Sequence, residues 1–458
     1  MDSDRLSEKK RLLEYQTILE QQPSLWKALE KTRIYMPSAP FQDQLYLHIF
    51  APTLVAFVSW VLETAQKTGK KRLYFLARDG YPLYLVAKKI CSSQGFNIEC
   101  RYLKVSRYSL RTAEYHLLGE NCLDYICSGG MDVTIEKIMK RAALTDEEGR
   151  QVIEVLGRSS HLATRLAYPE ILKLKEELKK LPLFMELVRE HSKKRYPSAI
   201  GYLMQEGLFE NIPYGIVDSG WIGTIQKSME SLICSADVTQ KPVETEGYYF
   251  GLYELPQGVR KERYHSFYFE PGRQIRRKAH FSNCLFEAVC SAPEGMTLGY
   301  CYRDTAYEPL ESSRENPNKV QLSYNLELLL RYTDCFLSLP EQNISKEVPV
   351  MIERLFEKLM SYPTQEEVKA FGKYLFCDDM SEGSLEHVAA NLSEQEIHDL
   401  RFWNKALKMA GLRKEDDSLR ESAWIEGSIV QNGGQVQENL RHAIWYKYLI
   451  YTRKALRL

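Results

Sequence analysis

Apolar positions along the chain switch repeatedly between helical spacing and short unbroken runs. Residues 8–35 repeat at helical period through Leu12, Tyr15, Ile18, Leu19, Trp26 and Leu29. Gln22-Pro23-Ser24 breaks the pattern, with Ser24 placed to cap a second helix. The stretch Leu45 to Leu62 is apolar for about one membrane span, yet it carries His48 and Pro52 and is followed closely by charge. A spanning helix needs roughly 20 clean apolar residues. The segment therefore reads as a buried helix beginning near Pro52 and covering 52–68.

From residue 71 the pattern changes. Leu73-Tyr74-Phe75-Leu76-Ala77, bounded by charge, reads as a buried strand that stops at Arg78-Asp79-Gly80. Helical spacing resumes from Tyr81 to Ile90, and a second strand is expected from Ile98 to Val105, closing on Ser106-Arg107. Residues 108–210 are helical in pattern and too long for a loop, so they form an inserted helical region. A third strand, Ile212 to Val217, runs into Asp218-Ser219-Gly220-Trp221-Ile222-Gly223-Thr224, after which Ile225 to Ile233 is helical. Glu246 to Tyr253 is a further strand, and 263–306 reads as strands and turns around a helix near 284–291. A polar loop, Glu308 to Lys319, marks a boundary before a helical region at 320–458. Residues 1–45 form N-terminal helices, and 46–107 with 211–306 form one core. Recurring strand–loop–helix units imply parallel strands covered by helices. Sheets of this kind bind ligands at the carboxyl ends of their strands.

Composition narrows the partners. In 458 residues, 61 Lys and Arg balance 61 Asp and Glu, so no overall field draws the chain to nucleic acid. The ten cysteines include no C-x-x-C pair, and most sit in apolar runs, which suits a reducing compartment and a cytoplasmic location. The basic, aromatic stretch Arg441 to Leu458 is the segment suited to a membrane-peripheral contact, or to a packed terminal helix.

Two loops carry candidate chemistry. In 218–224, Gly220 and Gly223 permit close backbone approach, and Thr224 adds a hydroxyl where a helix exposes its free N–H groups. Such a turn suits an anion or sugar phosphate, with Asp218 holding sugar hydroxyls or a metal. A tight turn with Thr224 as cap has the same pattern. In the other loop, Arg78 can grip phosphate oxygens in a fork, while Asp79 can take a proton or hold Mg²⁺ through water. The alternative is an Arg78–Asp79 pair capping the next helix. Lys104, Ser106 and Arg107 close the second strand on the same rim, although Lys104 equally suits an open surface. Glu287 places a carboxylate in an apolar segment, as a site acid or a core ion-pair member. No phosphate-loop, nucleophile-elbow or zinc-protease motif occurs.

The order of these parts, with Arg78-Asp79-Gly80 after one strand and Asp218 to Thr224 after another, resembles the type I phosphoribosyltransferase fold. The phrases FLARDGY, VSRYSL, VDSGWIGTIQ and SAPEGMTLGY also resemble a region common in bacterial surface-polysaccharide proteins. That region is often fused to, or encoded beside, a haloacid-dehalogenase-like phosphatase. The likeness covers roughly 45–305. It implies an α/β fold with a parallel-sheet, Rossmann-like core, a large helical insertion and a C-terminal helical region.

It also implies a glycosyltransferase that moves phosphoribose from 5-phosphoribosyl diphosphate to a hydroxyl of a glycan or lipid-linked glycan, a separate phosphatase acting afterwards. Mg²⁺ is the implied cofactor, with Asp79 and Asp218 as metal carboxylates. Arg78, Gly80, Lys104 and Arg107 would contact diphosphate. Asp218 would hold ribose hydroxyls and Ser219, Gly220, Trp221, Ile222, Gly223 and Thr224 the phosphate, Ser219 standing where the family has a second acid. Asp79 would be the base, and the 108–210 insertion with the C-terminal helices would form the acceptor groove. Two other expectations compete: a phosphatase using Asp79 as nucleophile and Ser106 as phosphate-binding hydroxyl, and a non-catalytic assembly protein of a glycan locus.

Overall fold

The computed structural model describes residues 2–130, 133–158, 163–237, 245–377, 379–380, 385–409 and 421–456. Parts of the expected insertion and C-terminal region, such as 159–162 and 410–420, lie outside the described residues.

Five strands form one parallel sheet: β1 (Arg72–Leu76), β2 (Glu99–Leu103), β3 (Tyr214–Trp221), β4 (Glu246–Leu252) and β5 (Tyr264–Phe269). Their order is β2-β1-β3-β4-β5, and every neighbouring pair is parallel. The strand-length apolar run in β1 reflects burial on both faces, and all five residues are buried. Successive side chains point to opposite sides. Leu73 and Phe75 join one core with Val217, Tyr248 and Phe250. Tyr74 and Leu76 join another with Ile216, Tyr249 and Leu252.

The first core contains the helices Phe41–Lys67, Gly80–Gln94 and Lys319–Leu337, and the second contains residues of Arg107–Leu118, Pro182–Gln205 and Thr224–Ala236. After β1 the chain crosses to β2 on one side; after the insertion it returns to β3 on the other. That reversal opens a crevice at the carboxyl ends of β1 and β3, where ligands bind in open α/β sheets.

The long apolar helix begins at Phe41, well before Pro52, which lies inside it. A proline there costs about 3 kcal/mol. The helix persists because its apolar residues on both sides of Pro52 are buried. In its most apolar stretch 89% of the residues are enclosed by protein. The second N-terminal helix starts at Pro23, so Ser24 lies within it and donates to Glu341 O instead of capping.

The N-terminal and C-terminal helices share the first core, Tyr15 and Leu25 with Trp424 and Leu355. Buried Glu367 fixes this union, accepting from Arg11 Nε at 2.8 Å and from Tyr15. The insertion divides its loyalties. Tyr115 to Val188 enclose a third core, whereas Leu110, Ala199 and Leu203 cover the sheet. The expected polar loop of 308–319 shortens to 312–318, because Glu308 to Glu311 belong to strand β7 (Ala306–Glu311), which pairs with β6 (Thr297–Arg303) in an antiparallel hairpin. The ring of Tyr300 stacks at 4.3 Å on Tyr202, which pins the hairpin to the helix Pro182–Gln205.

Arg141 joins the insertion to the C-terminal region. Its guanidinium pairs with Asp379 at 2.7 Å, the two side chains 4% and 6% exposed, and donates to Ser128 O. Removing one member strands the other's charge in the interior. Arg141→Met should therefore lower stability by about 3–5 kcal/mol in urea unfolding. A loss below 1 kcal/mol would mean that the pair is solvated.

Candidate functional site

The site is built where β1, β2 and β3 end. Each is followed closely by a helix, starting at Gly80, Arg107 and Thr224, so three helix N-termini face one region. Unpaired N–H groups and aligned dipoles make such ends favourable for anions. After β1 the chain turns at once, through a cis Ala77–Arg78 peptide. A side chain at Gly80 would lie 2.9 Å from the backbone of Phe75, so only glycine allows the helix to begin this close to its strand.

Asp79 and Asp218 come together across β1 and β3. Ser219 Oγ donates to Asp79 Oδ2 at 2.6 Å and so orients that carboxyl. Asp218 is buried. Its carboxyl is pushed up to about 7, first by burial and then by the charge of Asp79, against backbone donors at Ser219 and Gly220 and the cation of Arg107. Asp79 is also raised, chiefly by burial, with Ser219, Arg78, Ser291 and Arg107 opposing the shift. Two neighbouring carboxyls, one buried and one half-buried, cannot both ionise freely, which favours a proton shared between them. The same pair suits a divalent cation that displaces that proton.

Arginines surround the acids. Arg78 is exposed at the mouth. Arg107, also exposed, opposes the rise of both carboxyls. Arg111, one turn further along the same helix, is buried. Its Nη2 donates to Thr224 Oγ1 at 2.7 Å, and its Nη1 lies 3.4 Å from Met380 Sδ. The guanidinium sits 4.1 Å from the ring of Tyr125. These partners are all neutral. Burial, then the charge of Arg107, lowers its pKa to about 10. The charge of Glu114, itself buried, partly offsets that lowering; a dry cation whose hydrogen-bond partners are neutral suits an anion. Sequence reasoning missed Arg111, although its spacing of four from Arg107 places both on one helix face.

Other expected residues fall elsewhere. Lys104 is engaged by Glu294 at 3.1 Å and by Glu311, so its charge serves the hairpin region. Ser106 caps the helix Arg107–Leu118 and donates to Thr297 O at 2.6 Å. The expected phosphate turn from Ser219 to Thr224 is shorter than its sequence suggests. β3 continues through it, pairing Asp218 with Tyr249, Gly220 with Gly251 and Trp221 with Leu252. Only Ile222 and Gly223 are left between strand and helix, and the Ile222 amide donates to Gly220 O. Thr224 does not cap either; Gly223 occupies that position, at φ 74°.

Trp221, at φ 68°, packs among Tyr253, Phe269, Phe281 and Phe286. It forms apolar floor, and its indole N–H donates to Glu287. Glu287 also lines a cleft that takes in Arg78, Asp79, Ser291, Arg314 and Asp379. The cleft is bounded by 314–318 and by Leu375, Phe376, Cys377, Asp379 and Leu385, and none of its described lining residues comes from 108–210.

Among the described residues no group of three or more His, Cys, Asp or Glu side chains could hold a metal. Asp79 and Asp218 would therefore supply two carboxylates, a number that suits Mg²⁺ completed by phosphate oxygens and water. In comparisons with known proteins, no family model and no curated protein sequence matches the chain.

The raised carboxyl of Asp218 fixes a pH dependence. Between the ordinary aspartate value near 4 and the folded value of about 7, the folded chain binds the proton more tightly than the unfolded one. Stability therefore falls as pH rises through that window, by at most about 1.4 kcal/mol per pH unit. Asp218→Asn should gain stability relative to the native chain between pH 5 and 8, read from urea unfolding at both ends. A native chain equally stable at both, with the variant parallel to it, would show that Asp218 ionises normally.

Proposed function

We propose that this chain is a glycosyltransferase that moves 5-phosphoribose from 5-phosphoribosyl diphosphate to a sugar hydroxyl of a surface glycan, with Mg²⁺ bound at Asp79 and Asp218. The observation that carries the reading is the pair of buried Asp218 and half-buried Asp79, acted on by Arg78 and Arg107, with Arg111 near Arg107, at the crevice between β1 and β3. A donor with negative charge at both ends of a hydroxyl-bearing sugar fits acids in the middle and cations around them. Glycan assembly from a soluble phosphorylated donor belongs in the cytoplasm.

Arg78, exposed beside Asp79, receives the diphosphate. Arg107, Arg111 and Thr224, with the N-terminus of helix Thr224–Ala236, receive the 5-phosphate. The Trp221–Glu287 floor and the adjoining cleft take the acceptor sugar. Mg²⁺, when bound, offsets charge on the departing diphosphate.

The acceptor oxygen forms its bond to the anomeric carbon as the bond from that carbon to diphosphate breaks, and the electron pair leaves with diphosphate. Asp79 takes the acceptor proton, while Ser219 holds its other oxygen in place. Attack opposite the leaving group inverts the anomeric centre. In the phosphatase reading Ser106 would be the phosphate hydroxyl, but that hydroxyl already donates to Thr297 O.

Asp79→Asn should lower diphosphate release in the presence of acceptor glycans by ~10²–10⁴-fold. Arg111→Leu should weaken donor binding by about 10–100-fold with the fold intact by circular dichroism. An Asp79→Asn chain of undiminished turnover, or an Arg111→Leu chain that binds the donor normally, would contradict these roles.

A further inference from the structure

None of the ten cysteines is joined in a disulfide. Two of them meet away from the acid pair. Cys91 lies near the end of the helix Gly80–Gln94 and Cys100 in β2, the edge strand of the sheet, and their sulfurs are 3.8 Å apart. Both side chains are partly exposed. The sequence separates them by the polar segment Ser92-Ser93-Gln94-Gly95, then Phe96-Asn97-Ile98-Glu99, with no C-x-x-C spacing to announce them. The contact arises because the helix after β1 returns antiparallel to its strand before the chain enters β2.

We propose that Cys91 and Cys100 form a reversible disulfide under peroxide, making the outer edge of the sheet a redox-modification site. The partners differ in a way that assigns roles. The hydrogen bond between the two thiols lowers the pKa of Cys91, against the effect of burial, whereas that of Cys100 is raised by the same contact and by burial. Cys91 is thus the attacking sulfur and Cys100 the resolving one.

The Cys91 thiolate attacks one oxygen of hydrogen peroxide, breaking the O–O bond. This gives a sulfenic acid, and the released hydroxide takes up a proton as water. The sulfur of Cys100, losing its proton, then attacks the sulfenic sulfur and expels the second oxygen as water. Two thiols and one peroxide give one disulfide and two waters. A thiol reductant reverses the change. Asp79 and Arg107 lie at the other ends of the linked helix and strand, so the bond staples the scaffold without entering the crevice.

The test uses the full chain, treated with hydrogen peroxide, alkylated and digested without reductant. Mass mapping should recover one peptide joining Cys91 to Cys100, lighter by two hydrogens, which dithiothreitol abolishes. Free thiol should disappear at Cys91 about tenfold faster than at the buried Cys335. In Cys100→Ser the same treatment should leave a sulfenic acid at Cys91 that dimedone traps. An independent readout needs no variant: phenylarsine oxide, which requires two adjacent thiols, should bind and protect both residues from alkylation.

Oxidation of the exposed Cys234 without the linked peptide would overturn the proposal. So would a sulfenic acid that persists at Cys91 in the unaltered chain, or failure of the arsenical to protect the pair.

Discussion

Two carboxyls brought together at the ends of adjacent parallel strands, Asp218 buried and Asp79 half-buried, are the constraint that organises this molecule. Neither Asp79 nor Asp218 can ionise without raising the other's cost, and the fold meets that cost locally. Ser219 donates to one acid, backbone amides to the other, and Arg107 faces both. The sheet order supplies the location, because only where the chain leaves β1 and β3 in opposite directions is the carboxyl edge left open. The cores on the two faces then hold the strands in register, so the acid pair is a property of the scaffold rather than of a mobile loop.

Arg111 extends the same logic. A guanidinium placed among Thr224, Met380 and Tyr125 is stabilised by contacts that satisfy its donors without neutralising its charge. Together with Arg107 it makes one bank of the crevice positive, while Arg78 does so at the mouth. The proposed phosphorylated sugar would match that arrangement, the acids facing its hydroxyls and a bound cation.

Much of this was legible in the sequence, for physical reasons that differ from residue to residue. β1 is an apolar run because it is buried on both faces, and a charged pair abutting such a run has little packing explanation, which singled out Asp79. Asp218 stood out in the same way. The end of β3 was not legible. Ser219-Gly220-Trp221 has the composition of a turn, but Gly220 tucks against Gly251 O and Trp221 adopts a positive φ, so pairing with β4 continues.

Lys104 looked like a rim cation because its partners, Glu294 and Glu311, are close only after the hairpin folds back. Pro52 looked like a helix start, since local preference is visible in sequence and the burial that overrides it is not. Arg111 was hidden by its own setting. A lone arginine between Leu110 and Thr112 reads as surface until the helix Thr224–Ala236 is packed beside it.

The most direct test of the acid pair as a donor and cation site is calorimetry of 5-phosphoribosyl diphosphate with Mg²⁺ near pH 6.5, run in two buffers of different ionisation heat. Binding should release about one proton per site as the shared proton leaves, and Asp218→Asn should abolish that release. No heat with this donor alongside binding of a uridine diphosphate sugar, or binding without any proton release, would contradict the account.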